Sequence, residues 1–158
     1  MNTGSGLDAF VAYLSAQAQA APPGYAGAAW FVLRIGEDCA YIRLQDIWQP
    51  LRFLAQMAGN PPLRFPTTGF DPHLVDDHNP ARHYIAFVFV GFWLPRLPAL
   101  AVLYAWEIAG FLRYGLQWSQ KDVRSGLLGL RHGAFVREYG PVVLPGLVAG
   151  ELAERVSG

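Results

Sequence analysis

Apolar residues recur along this chain at helical rather than alternating spacing. Leu7, Phe10, Val11 and Leu14 fall three or four apart, and Asp8 stands where a carboxylate favours a helix N-terminus. Residues 6–20 therefore read as an amphipathic helix that stops before Pro22 and Pro23. Residues 28–35, AAWFVLRI, are short and rich in aromatic and branched side chains, a composition shared by a strand and by the start of a helix. A lone strand makes no sheet, so helix or irregular structure is the preferred reading, with at most a minor β element there. Glu37 and Asp38 precede Tyr41, Ile42, Leu44, Ile47 and Trp48, and the pattern resumes at Leu51, Phe53, Leu54 and Met57. Such a pattern predicts a helix kinked or broken at Pro50 and closed by Gly59. Residues 59–78 show no periodicity and hold four of the twelve prolines. A loop of about twenty residues is uncommon in a compact domain, and it reads either as a lid or binding segment or as a plain connector.

The strongest signals come next. Asn79 is a favoured N-cap residue and Pro80 suits the first helical position, so a helix is expected over 80–94. Pro95 and Pro98 bracket a corner at Arg96, and Pro98 opens a second helix over 98–115, which makes an antiparallel hairpin. A further helix over 118–133 carries Ser119 and Asp122 in capping-box spacing. Gly126, Gly129 and Gly133 lie on or near one of its faces and point to a closely packed neighbouring backbone. His132 reads as a cation beside that helix's C-terminus. A short helical pattern over 147–156 ends the chain. The fold class is mainly α: one domain over 1–158, organised around the central hairpin.

Composition sharpens this picture in one direction. The mean hydropathy of +0.20 is high for a chain of this length, so apolar surface meets a large core, a partner or lipid. The apolar run over 84–106 is cut by Pro95, Arg96 and Pro98 into pieces of about eleven and nine residues, short of the roughly 20 needed to span a bilayer. A membrane-inserting hairpin is thus a minor option. Net charge is zero, with −3 over 1–81 and +3 over 82–158, which argues against a nucleic-acid-binding role. Cys39 is the single cysteine, so an intrachain disulfide is excluded. The N-terminal residues lack the features of a Sec signal, and the expected location is the cytoplasm or export by a dedicated non-Sec system.

Chemistry concentrates in the hairpin. His83 lies eleven residues before Leu94, about 16 Å along the axis, and Glu107 lies nine residues after Pro98, about 14 Å. In antiparallel neighbours the two stand level. Arg82 and His83 point about 100° apart, so one of them faces Glu107. Asp122 of the next helix is a candidate third member. The candidate catalytic residues are Arg82, His83, Glu107 and Asp122, either as a polar pocket with a histidine base or as an ion pair pinning helices together. Asp71, His73, Asp76, Asp77 and His78 are too loosely spaced to be assigned as metal ligands, and no cofactor is identified.

The order Asn79-x-x-Arg82-His83, then Glu107, then Ser119-x-x-Asp122-x-x-x-Gly126-x-x-Gly129 resembles helical domains of bacterial polymorphic toxins and secreted effectors. There an N-x-x-R-H helix precedes a His-Glu pair and an Asp-containing segment ending in glycine. The resemblance covers residues 76–133 and departs at Trp106, which stands where those domains carry histidine. It implies an effector-like domain with hydrolytic chemistry at Arg82, His83, Glu107 and Asp122. The alternative is a non-enzymatic interaction or assembly module that buries an aromatic-rich face against a protein partner or a second copy.

Overall fold

Ser5 starts the first helix. Its hydroxyl accepts from the Asp8 N–H while the Asp8 carboxylate accepts from the Ser5 N–H at 2.9 Å, a reciprocal capping box. Helix α1 (Gly6–Ala20) follows with the expected bounds. The computed structural model describes residues 4–46, 48–49, 51–52, 61–75, 78–113 and 119–154, and among them there are six α-helices and no strand.

Residues 28–35 lie wholly within α2 (Gly24–Ala40), which settles that stretch as helical. The helix expected to run on through Trp48 does not form. Tyr41 takes a left-handed conformation (φ 61°), its N–H bonds to the Glu37 carbonyl, and Ile42 N–H bonds back to Gly36, so the helix is capped at Ala40. A 3₁₀ turn at Leu44–Asp46 follows. Leu51 and Arg52 are helical, while Ile47, Pro50, Phe53, Leu54, Met57, Gly59 and Asn60 lie outside the described residues.

Residues 61–75 form a strap held at both edges. Thr68 receives the Leu7 N–H on its carbonyl and the Gly6 N–H on its hydroxyl. On the other side Asp71 N–H bonds to Leu152 O, and Glu154 N–H to Gly69 O. Phe65 and Phe70 are buried against Phe10, with ring centroids 5.0 and 6.0 Å away. Over the described part, the loop is a fixed strap joining the two ends of the fold.

The hairpin is α3 (Pro80–Trp93) and α4 (Arg96–Arg113). Asn79 occupies the N-cap position of α3 without the side-chain capping bond expected of it. Helix α4 starts at Arg96, two residues before the expected Pro98. Ala99 N–H already bonds to Pro95 O, and Pro98 sits in the first turn, where a missing N–H costs nothing. Residues 114–118, including Trp118, lie outside the described residues.

Helix α5 (Gln120–Tyr139) runs six residues past its expected end. Ser119 caps it, accepting from Asp122 N–H at 3.1 Å, and Gly140 (φ 89°) ends it, so Gly133 is not a stop. Instead Gly129 and Gly133 let α3 approach: a Cβ on Gly129 would stand 2.6 Å from the Tyr84 carbonyl, and one on Gly133 would overlap the Val88 carbonyl. Contacts climb in step from Gly126 against Phe87 to Arg137 against Phe92, so α3 and α5 run parallel, with α4 antiparallel beside them. Helix α6 (Val143–Glu151) begins earlier than the expected residue 147; Val156 is outside the described residues. The main core joins α1, α2, α3, α5, α6 and the strap, while α4 attaches through the smaller cluster of Phe87, Ala99, Leu103 and Leu130.

Candidate functional site

The fold places His83 early in α3, where the start of α5 and the second half of α4 meet it. His83 Nε2 lies 2.8 Å from the main-chain carbonyl oxygen of Asp122. A carbonyl only accepts, so the ring proton sits on Nε2 and is donated there. Glu107 Oε1 is 3.6 Å from the same nitrogen, close enough to complement an imidazolium by charge but too long for a hydrogen bond. Phe87, one turn along, packs its ring 4.9 Å from the imidazole. Glu107 is 8% exposed and His83 17%, so the pair is largely removed from water.

The level geometry expected of the hairpin is therefore present. His83 faces Glu107, and Arg82 is half-buried one position away around the helix. Asp122 joins the cluster through its backbone carbonyl, which the Ser119 cap helps to hold in place. The chemistry on display is orientation. Three segments far apart in sequence are tied at one imidazole whose Nε2 proton is already committed. Asp71 binds the His73 N–H in a local turn at 2.8 Å, and no metal-holding group of His, Cys, Asp or Glu occurs among the described residues. Asp76 and Asp77 lie outside them.

A second histidine cluster was not anticipated. His132, expected at a helix C-terminus, is fully buried in mid-helix because α5 continues to Tyr139. Tyr84 Oη lies 2.7 Å from His132 Nδ1, and Glu151 Oε1 lies 3.3 Å from Nε2. Arg131 pairs with the other carboxylate oxygen of Glu151. The arrangement that satisfies every group puts the ring proton on Nε2, toward Glu151, and lets Nδ1 accept from the Tyr84 hydroxyl. Burial holds His132 below the ordinary imidazole range; Glu151 pulls the other way and Arg131 adds to the lowering. Burial likewise raises Tyr84 well above the usual phenol value. A signal for this network did exist: Ser125, Gly129, His132 and Val136 share one buried face once the helix is allowed past Gly133.

Cys39 offers no competing chemistry. It is buried, and desolvation together with the neighbouring Asp38 pushes its thiol up to about 12, so it stays protonated near neutrality. None of the described helices is long and apolar enough to cross a membrane. No family model, curated protein or solved structure matches this chain.

Proposed function

We propose that this chain is an interaction module that docks a second copy of itself along the outer face of α4. One observation carries the reading: α4 is apolar almost all round and, among the described residues, covered on one side only. Ala99, Leu103 and Glu107 are buried, whereas Leu97 (78% exposed), Tyr104 (43%), Ile108 (51%) and Leu112 (69%) face solvent. A helix that is apolar on every side belongs in an interior, and a continuous row of this kind is not ordinary surface scatter. No charge interrupts it between Arg96 and Glu107. Ala101, Ala105 and Ala109 are also exposed and recur every fourth residue beside the bulky row. Two copies packed antiparallel set each line of small residues against the other's bulky line, the self-complementary match that a two-fold interface requires.

Sedimentation equilibrium tests this. The wild type should be dimeric at micromolar concentration, and Ile108→Glu, a change at a half-exposed site, should be monomeric with an unchanged helical circular dichroism spectrum. A wild type that stays monomeric at hundreds of micromolar would sink the proposal.

The meeting of His83, Glu107 and the Asp122 carbonyl supports a second reading, the effector-like hydrolytic domain implied by the sequence resemblance. His83→Ala and Glu107→Gln separate it from a structural role. Folded variants with wild-type melting temperatures that lose toxicity or hydrolase activity would favour chemistry. A loss of about 1–3 kcal/mol of stability would mark the cluster as a helix tie.

A further inference from the structure

Beside the face that packs on α3, α5 borders a cavity of about 750 Å³, shared with the end of α3 and the first turns of α4. That volume lies within the range of roughly 300–1,000 Å³ common to small-molecule sites. Its apolar wall includes Leu94, Leu100, Leu127 and Leu130. Its polar lining residues are four arginines, Arg96, Arg124, Arg131 and Arg137, with no acidic residue among the lining positions. In a chain of zero net charge this is a strong local surplus.

The arginines differ in how they are held. Arg137 donates to the carbonyls of Phe92 and Leu94, which fixes its guanidinium beside the α3–α4 corner, and Arg131 is tied to Glu151. Arg96 and Arg124 make no ion pair or hydrogen bond among the described residues, so their charge is available to a ligand. Arg124 and Arg137 are thirteen residues apart on one helix, about 20 Å. The slot is therefore elongated, apolar along its length and cationic at its margins. Arginine and leucine side chains supply donors and apolar surface but no acceptor, which suits an anionic head with an alkyl chain better than a peptide whose N–H groups need partners.

We propose that this slot binds a single-chain anionic amphiphile, its carboxylate or phosphate head on the guanidinium groups and its chain along the leucines. The site is separate from the outer stripe of α4, because Ala99 and Leu100, the apolar residues that α4 gives it, lie on the covered side of that helix, and only Arg96 in its first turn is exposed.

The test is calorimetric titration of the full chain with dodecanoate, dodecyl phosphate and dodecyltrimethylammonium, each below its micelle-forming concentration. At least one of the two anions should bind about tenfold or more tighter than the cation of equal chain length, the scale of one charge-assisted hydrogen bond. The better of the two identifies the head group. Arg96→Gln combined with Arg124→Gln, both exposed positions, should weaken anion binding at least about tenfold with the circular dichroism spectrum unchanged. Ile108→Glu should leave it intact, which separates this site from self-association. Equal affinity for anion and cation, an unaffected double variant, or no binding would each overturn the proposal. Cosedimentation with phosphatidylglycerol vesicles without binding of free amphiphile would overturn it in favour of a lipid surface.

Discussion

His132 is enclosed on every side and still has a partner at each ring nitrogen, so the fold resists its protonation. Charging it would place a proton on Nδ1, where the Tyr84 hydroxyl now donates, inside a region that burial already makes hostile to the cation. The direction of the pH effect follows. Burial holds His132 in the folded state below the ordinary imidazole value of about 6.5 that describes the unfolded chain. Between the two values the unfolded state binds more protons. The stabilisation is whole above about pH 6.5 and drains away as pH falls through the folded value. Thermal melts from pH 7.5 down to pH 5 should show a falling midpoint, and a His132→Gln variant should start lower and show a shallower slope. A wild-type midpoint that rises on acidification would contradict the neutral assignment. Tyr84→Phe removes the donor and strands a buried ring nitrogen, so it should cost about 1–3 kcal/mol in chemical denaturation. His83 differs in kind: it keeps some solvent access, and its carbonyl partner imposes a tautomer rather than a charge state.

The helices owe their arrangement to where glycine is used for space and where it is not. Gly129 and Gly133 stand under the α3 backbone, whereas Gly146 and Gly150 of α6 have nothing within 4 Å of the place a Cβ would occupy. The same substitution should therefore have opposite signs. Gly133→Ala must push two backbones apart and should lose about 1–3 kcal/mol or more, outweighing the gain in helix propensity. Gly146→Ala should gain about 0.5–1 kcal/mol. Urea melts of the two variants check this, and equal signs would show that α3 and α5 are not packed as described. This double use of glycine also explains what could be read from the chain beforehand. Pro80, Pro95 and Asp8 mark helix ends by local chemistry, so α1 and the hairpin were legible, and the constant rise per residue carried His83 and Glu107 to the same level. Gly133 resembles a stop signal but serves packing, which cut α5 short and hid His132 from its buried face. Tyr41 ends α2 in a conformation that tyrosine seldom adopts, and no local pattern announces it.

On the scale of the whole molecule, what stands out is an uneven distribution of cover. Among the described residues, five helices and the strap share the main core, while α4 holds on through a small cluster and turns Leu97, Tyr104, Ile108 and Leu112 outward. If a second copy covers that row, folding and assembly become one equilibrium, because the unfolded chain presents no helix to dock. Stability must then depend on protein concentration. Each tenfold increase favours the dimer by about 1.4 kcal/mol, shared between two chains. For a chain of this size that corresponds to a rise in melting midpoint of about 1–3 °C per tenfold, provided the transition is two-state. Calorimetric scans across a hundredfold range of concentration should show this slope in the wild type. Ile108→Glu should melt lower and with no slope, since it places a carboxylate in the seam and leaves the core of the protomer alone. The salt response separates this from association driven by charge. The row carries no ionic group, so the slope should persist at high ionic strength, where screening would remove an electrostatic contact. A wild-type midpoint independent of concentration would mean that α4 is not covered by its own kind.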